Sequence, residues 1–162
     1  LDFALAFGGN EMPGYHTGPA CHVGWSAGAR HSHLDNAGYS LDQTALKEGR
    51  SLTPEGVGEA LVNEERWRQV LTSLVICLFA RGVYDRDTVL DALAAAGFSW
   101  NASDLDRLGA ETLRRKIAFK QREGFDFGAL RIPQRIIETP SPAGPFDEAF
   151  VRAAIAYFGE LV

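Results

Sequence analysis

From Trp67 onward the apolar positions run Val70, Leu71, Leu74, Val75, Leu78 and Phe79, the three-and-four spacing of a helix that buries one face. Upstream, Thr53-Pro54-Glu55 supplies an N-cap, a first-turn proline and an acidic first turn, so this helix is predicted to start there. Arg81-Gly82 supplies its cationic last turn and stop. Asp85 caps a second, short helix through Val89, Leu90 and Leu93, with Gly97 as terminator. Asn101 or Ser103 opens a third, whose Leu105, Leu108, Leu113, Ile117 and Phe119 form a broad apolar face ending at Gly124. Phe125 to Phe146 holds four of the seven prolines and predicts an extended strap. Asp147 caps a last helix that packs through Phe150, Ala154, Ile155, Tyr157 and Phe158. The pattern predicts an all-α fold: an irregular helical bundle with a long Gly/His-rich N-terminal loop region and a Pro-rich strap before the last helix.

The first third reads differently. Eight of the seventeen glycines precede residue 51, whereas residues 59 to 81 carry none, so composition shifts near Thr53. Leu1 to Phe7 reads as an element already under way, as in a piece of a longer chain. Between Gly14 and Gln43 fall all four histidines and one of the two cysteines, among residues that discourage long regular elements. Such a stretch is expected to line a polar pocket rather than fill a core, because buried polar groups need partners. The working division is therefore a loop-rich, cofactor-facing part over 1–52, a helical core with Cys77 over 53–124, and the strap with the last helix over 125–162.

Composition narrows the function classes. At 162 residues, 46% apolar and 23% charged, the chain is globular and long enough for one core. A net charge of −5 argues against a nucleic-acid footprint, which needs a basic face. No apolar run approaches the length of a membrane span, and no signal peptide opens the chain. A cytoplasmic protein with free thiols, rather than a disulfide between Cys21 and Cys77, is the expectation.

Cys21, His22, His31 and His33 are the residue types that ligate zinc, although their spacing matches no common finger. Read singly, each imidazole is expected to bond nearby carbonyls and carboxylates in the loop. By composition Leu74-Val75-Ile76-Cys77-Leu78-Phe79 is a core segment, yet a thiolate near a helix end can also reach a cluster held by another segment. Asn101-Ala102-Ser103 matches a glycosylation sequon but serves more simply as a helix cap. Asp85, Asp91 and Glu123 read as caps or solvated charges.

Three segments together resemble the aldehyde:ferredoxin oxidoreductases, tungsten or molybdenum enzymes with a bis-pterin cofactor and a nearby [4Fe–4S] cluster. Gly14-Tyr15-His16-Thr17-Gly18-Pro19-Ala20-Cys21-His22 resembles that family's Gly-Tyr-x-Thr-Ser-Pro-x-x-x-Cys-His loop, shortened by two residues. Leu74 to Phe79 resembles the late segment with the fourth cluster cysteine. Arg122-Glu123-Gly124-Phe125, Ile132-Pro133-Gln134-Arg135 and Pro140 to Pro145 resemble its closing tail. The resemblance runs over nearly the whole chain, in order, and corresponds to about the last quarter of such an enzyme.

The resemblance implies that Cys77 is the last iron ligand and that His22 faces the metal centre, with His31 and His33 as substitutes. Where the family has Asp-x-x-Gly-Leu-Cys, this chain has Thr72 and Val75 in place of the acid and the glycine, which shifts pterin contact there to Ser73 or the backbone. Arg30, Asp35 and Asn36 are further candidates for the pterin. The remaining cluster cysteines and the pterin-binding base would come from upstream domains of the same enzyme, and the partners would be a small aldehyde substrate and a ferredoxin-like electron acceptor. The isolated piece is expected to be inactive and prone to self-association. The competing readings are a non-enzymatic helical domain with a local Cys/His zinc or redox site, and a helical interaction module.

Overall fold

The computed structural model describes residues 4, 6–7, 10–12 and 14–162. Most of the first heptapeptide, expected to begin in the middle of an element, lies outside them. The two pieces that remain, β1 (Ala6–Phe7) and β2 (Asn10–Glu11), form a two-residue antiparallel ladder. The rest of the described chain is all-α: α1 Pro19–Ala27, α2 Gly38–Glu48, α3 Pro54–Ser73, α4 Arg86–Ala95, α5 Ala102–Arg122, α6 Gln134–Glu138 and α7 Glu148–Glu160, with one 3-10 turn at Leu78–Ala80.

The central helix α3 packs on α5 and α7, and α1 packs on α2 and α7. Val57, Leu61, Leu113, Ile117, Ile155 and Phe158 fill the main core. A smaller core of Val70, Leu71, Val89 and Leu105 lies beneath α4. The caps expected from sequence are present. Thr53 accepts from Gly56 N–H, Asp85 from Thr88 N–H and Asp147 from Phe150 N–H. Asn101 and Asp104 form a reciprocal capping box, which accounts for the sequon. Close approach of α3 and α5 depends on Gly109, where a Cβ would meet the Arg66 carbonyl oxygen at 2.4 Å.

Three expectations are corrected. Residues 14–43 are not a loop: α1 and the start of α2 lie within them, and all nine residues of α1 are buried. The strap contains the short helix α6. Third, α3 ends at Ser73 rather than Arg81. It closes with Val75 N–H on Thr72 O and Ile76 N–H on Leu71 O, the paired bonds of a Schellman motif. The motif places Val75 in the left-handed region, at φ 59°. Helices α2, α4 and α5 end with the same pairing but put Gly49, Gly97 and Gly124 at that position. Because the stop residue at the end of α3 is a β-branched valine, the apolar spacing reads through it as continuing helix.

Beyond Val75 the chain alternates. Leu74, Ile76 and Leu78 pack against the smaller core, while Val75, Cys77 and Phe79 point outward. Val75 is 91% and Phe79 89% exposed, so this segment is not core as composition implied. Left-handed backbone costs a residue with a Cβ about 1–2 kcal/mol. The variant Val75→Gly is therefore expected to stabilise the chain by about 1 kcal/mol, read as a higher urea midpoint at unchanged slope; an unchanged or lower midpoint would argue against a strained stop.

Candidate functional site

The site is built around α1. Gly18 precedes it with no side chain to cap it, and Pro19 takes the first position. The cap comes from α2 instead: Asp42 accepts from Ala20 N–H at 3.0 Å, Cys21 N–H at 2.8 Å and the Thr17 hydroxyl at 3.0 Å. Only glycine fits at 18, since a Cβ there would lie 2.6 Å from an Asp42 oxygen. Burial pushes Asp42 up to about 6, against the pull of those donors. At the other end, Asn36 Nδ2 donates to Gly24 O at 3.1 Å and Lys120 Nζ to Gly28 O at 2.8 Å.

Glu65 of α3 completes this second end. Its two oxygens accept from Ala29 N–H at 2.8 Å and Asn36 Nδ2 at 3.0 Å. Burial first, then the nearby charge of Asp35, raises its pKa. Lys120 lies 3.6 Å from the Phe125 ring centroid, and burial lowers it to about 8. Arg68 is also buried and donates to Leu34 O at 2.7 Å. Sequence reasoning missed Glu65, Arg68, Asp42, Lys120 and His16. A signal existed for one: Glu65 falls one turn after Leu61 on the stripe of Val57, where an apolar residue is expected.

The four histidines separate into three environments. His22, on α1 and 1% exposed, has its Nε2 2.8 Å from Nδ1 of His16, whose own Nε2 is 2.7 Å from Thr139 O. Phe146 covers both rings at 5.9–6.1 Å. Nδ1 of His22 is buried without a hydrogen-bond partner. Burial, and secondarily the charge of His16, pull His22 down to about 3, so it is uncharged at neutral pH. His33 sits instead against Tyr15 and Tyr39, whose rings stack at 4.7 Å. His31 lies edge-on to Phe125 with Nδ1 3.3 Å from Trp25 O, and burial followed by Lys120 lowers its pKa.

The remaining candidates divide into spent and presented groups. Asp35 is fully buried and accepts from Arg30 N–H, Arg30 Nε and Ser32 N–H; Asn36 is taken up by Gly24, Glu65 and Gly38. Both therefore hold the turn that carries Arg30, whose side chain is 44% exposed. Cys21 donates its thiol to Tyr15 O at 2.9 Å, and burial together with the Asp42 charge pushes it up to about 12. At neutral pH it is therefore a protonated thiol. Among the described residues no three His, Cys, Asp or Glu side chains assemble to hold a metal ion, so Cys21, His22, His31 and His33 do not converge on one. Ser73 and Cys77 are exposed near the end of α3. Cys77 immediately precedes the 3-10 turn at Leu78–Ala80 and makes no side-chain capping bond to it.

Residues 1–160 match the sequence profile of a family described as "Aldehyde ferredoxin oxidoreductase, domains 2 & 3". No curated protein and no solved structure matches the chain.

The pH response of His22 is testable within the chain. An unfolded histidine titrates near 6.5, and folded His22 near 3. Between these values the unfolded state binds more protons, so acidification through that window favours unfolding. The raised pKa of Asp42 acts in the opposite direction between its unfolded value and about 6, but it is common to wild type and variant. Relative to His22→Gln, the wild type is expected to lose about 2–3 kcal/mol between pH 7 and pH 4.5, measured by urea unfolding at both pH values. A pH-independent difference would mean that His22 titrates normally.

Proposed function

The chain belongs to the aldehyde ferredoxin oxidoreductase family, and from that premise we propose that it forms the helical C-terminal portion of an enzyme that oxidises aldehydes to carboxylates. The observation that carries this reading is the strip around Cys77. It holds an exposed thiol between an exposed valine and an exposed phenylalanine, a surface suited to being covered by other parts of the same enzyme. With Cys21 held as a buried thiol, the chain offers one thiolate to a [4Fe–4S] cluster, and the other three ligands come from upstream domains.

Conversion of an aldehyde and water to a carboxylate releases two electrons and three protons; a tungsten or molybdenum bis-pterin with an adjacent cluster, when bound, would supply the electron acceptance and the outlet to a ferredoxin-like partner. The contribution of this chain is to shape and hold. Arg30 and Ser73 are the polar groups left to meet a pterin, because Asp35 and Asn36 are committed to the turn. His22, uncharged and fixed in α1, accepts a hydrogen bond from substrate or water and orients it; His31 and His33 are the alternatives for that role. Phe146 packs against both rings of the histidine pair and holds them in place.

In the intact enzyme Cys77→Ala is expected to lose the cluster, measured as iron per chain and as the charge-transfer absorbance. Full iron occupancy in that variant would overturn the assignment. His22→Asn is expected to lower turnover at least about tenfold while leaving tungsten, molybdenum and iron contents unchanged; if turnover holds, His31→Asn and His33→Asn decide which histidine faces the substrate.

A further inference from the structure

The two imidazoles at 16 and 22 are joined to each other, and one end of the pair rests on a main-chain carbonyl. Thr139 O can only accept, so His16 must carry its proton on Nε2. In its neutral form His16 then presents a bare lone pair at Nδ1, and the 2.8 Å contact with His22 requires His22 to donate from Nε2. One consequence follows for the far side of the ring. His22 Nδ1, the buried atom without a partner, is a lone pair and not an N–H. The opposite proton arrangement would leave a buried, unpaired N–H donor, a rarer feature of folded chains than an under-satisfied acceptor.

The geometry points to His16 as a positioning residue: through Thr139 O it fixes the tautomer of His22, so that the buried, unpartnered Nδ1 of His22 is a lone pair that can only accept, and the group suited to meet it is one bearing O–H or N–H. Water and the hydroxyl of a hydrated aldehyde have that chemistry; a bare carbonyl or carboxylate oxygen does not. This rests on the reading of His22 as substrate-facing but concerns proton placement, which exists without cofactor. The anchoring carbonyl lies just after α6, and the ring that covers the pair, Phe146, is in the strap. The strap between α5 and α7 is thus a third support of the histidine pair, besides α1 and the turn before it.

The test is nitrogen-15 NMR of the histidine-labelled full chain at pH 8. The expected spectrum has both His16 and His22 protonated at Nε2 and unprotonated at Nδ1, with a scalar coupling across the hydrogen bond from His22 Nε2 to His16 Nδ1. A proton on His22 Nδ1, or no coupling between the two rings, would overturn the inference. His16→Gln offers an amide oxygen to His22 and an amide N–H to Thr139, so it is expected to preserve the His22 tautomer, whereas His16→Leu is expected to mix the two tautomers. An unchanged His22 signal in His16→Leu would remove His16 from the role. The tautomer is read without turnover, so its failure would leave the oxidoreductase reading standing; a loss of that reading would likewise leave the tautomer intact.

Discussion

A nine-residue helix with every residue buried has no water at either end, and this requirement organises the molecule. A helix leaves N–H groups unpaired at its start and carbonyls unpaired at its finish, and each buried orphan costs about 1–3 kcal/mol. Here Asp42 closes the start of α1, while Asn36 and Lys120 close its finish. Glu65 ties the following turn to α3. The supports come from three different helices and one turn, so α1 is held at the place where those elements meet. His22 inherits that fixed position.

The same constraint explains an inversion of ordinary packing. Charged and polar side chains lie inside around α1, and valine and phenylalanine lie outside around Cys77. Buried carboxylates with raised pKa values are tolerated because each meets N–H donors, and they hold α1 in a wall of fixed dipoles. The outward strip follows from the end of α3. Once the chain leaves α3 through the Val75 turn, Ile76 faces inward and Cys77, just before the 3-10 turn, falls on the outer side. Wall and strip are the two features on which the proposed shared site rests.

Much of the bundle was legible because its signals are local. Thr53, Asp85, Asn101 and Asp147 cap helices within three residues of themselves, and Gly97 and Gly124 stop them at once. What was illegible is not local. Asp42 caps a helix that starts 23 residues earlier, so α1 showed no cap of its own and its glycines and histidines read as loop. Val75 occupies a position that glycine fills in three other helices, which hid the end of α3. The family was legible from ordered motifs. His16 lies within one of them, yet its bonding depends on Thr139, 123 residues away.

The claim that the exposed strip is an inner face of a larger enzyme is tested most directly by differential alkylation of the intact holoenzyme, read by mass spectrometry at the Cys77 peptide. If Cys77 ligates the cluster, it stays unmodified in the holoenzyme and becomes fully labelled once the cluster is removed by chelation, while the buried Cys21 remains unlabelled in both. Equal labelling of Cys77 before and after cluster removal would contradict the account.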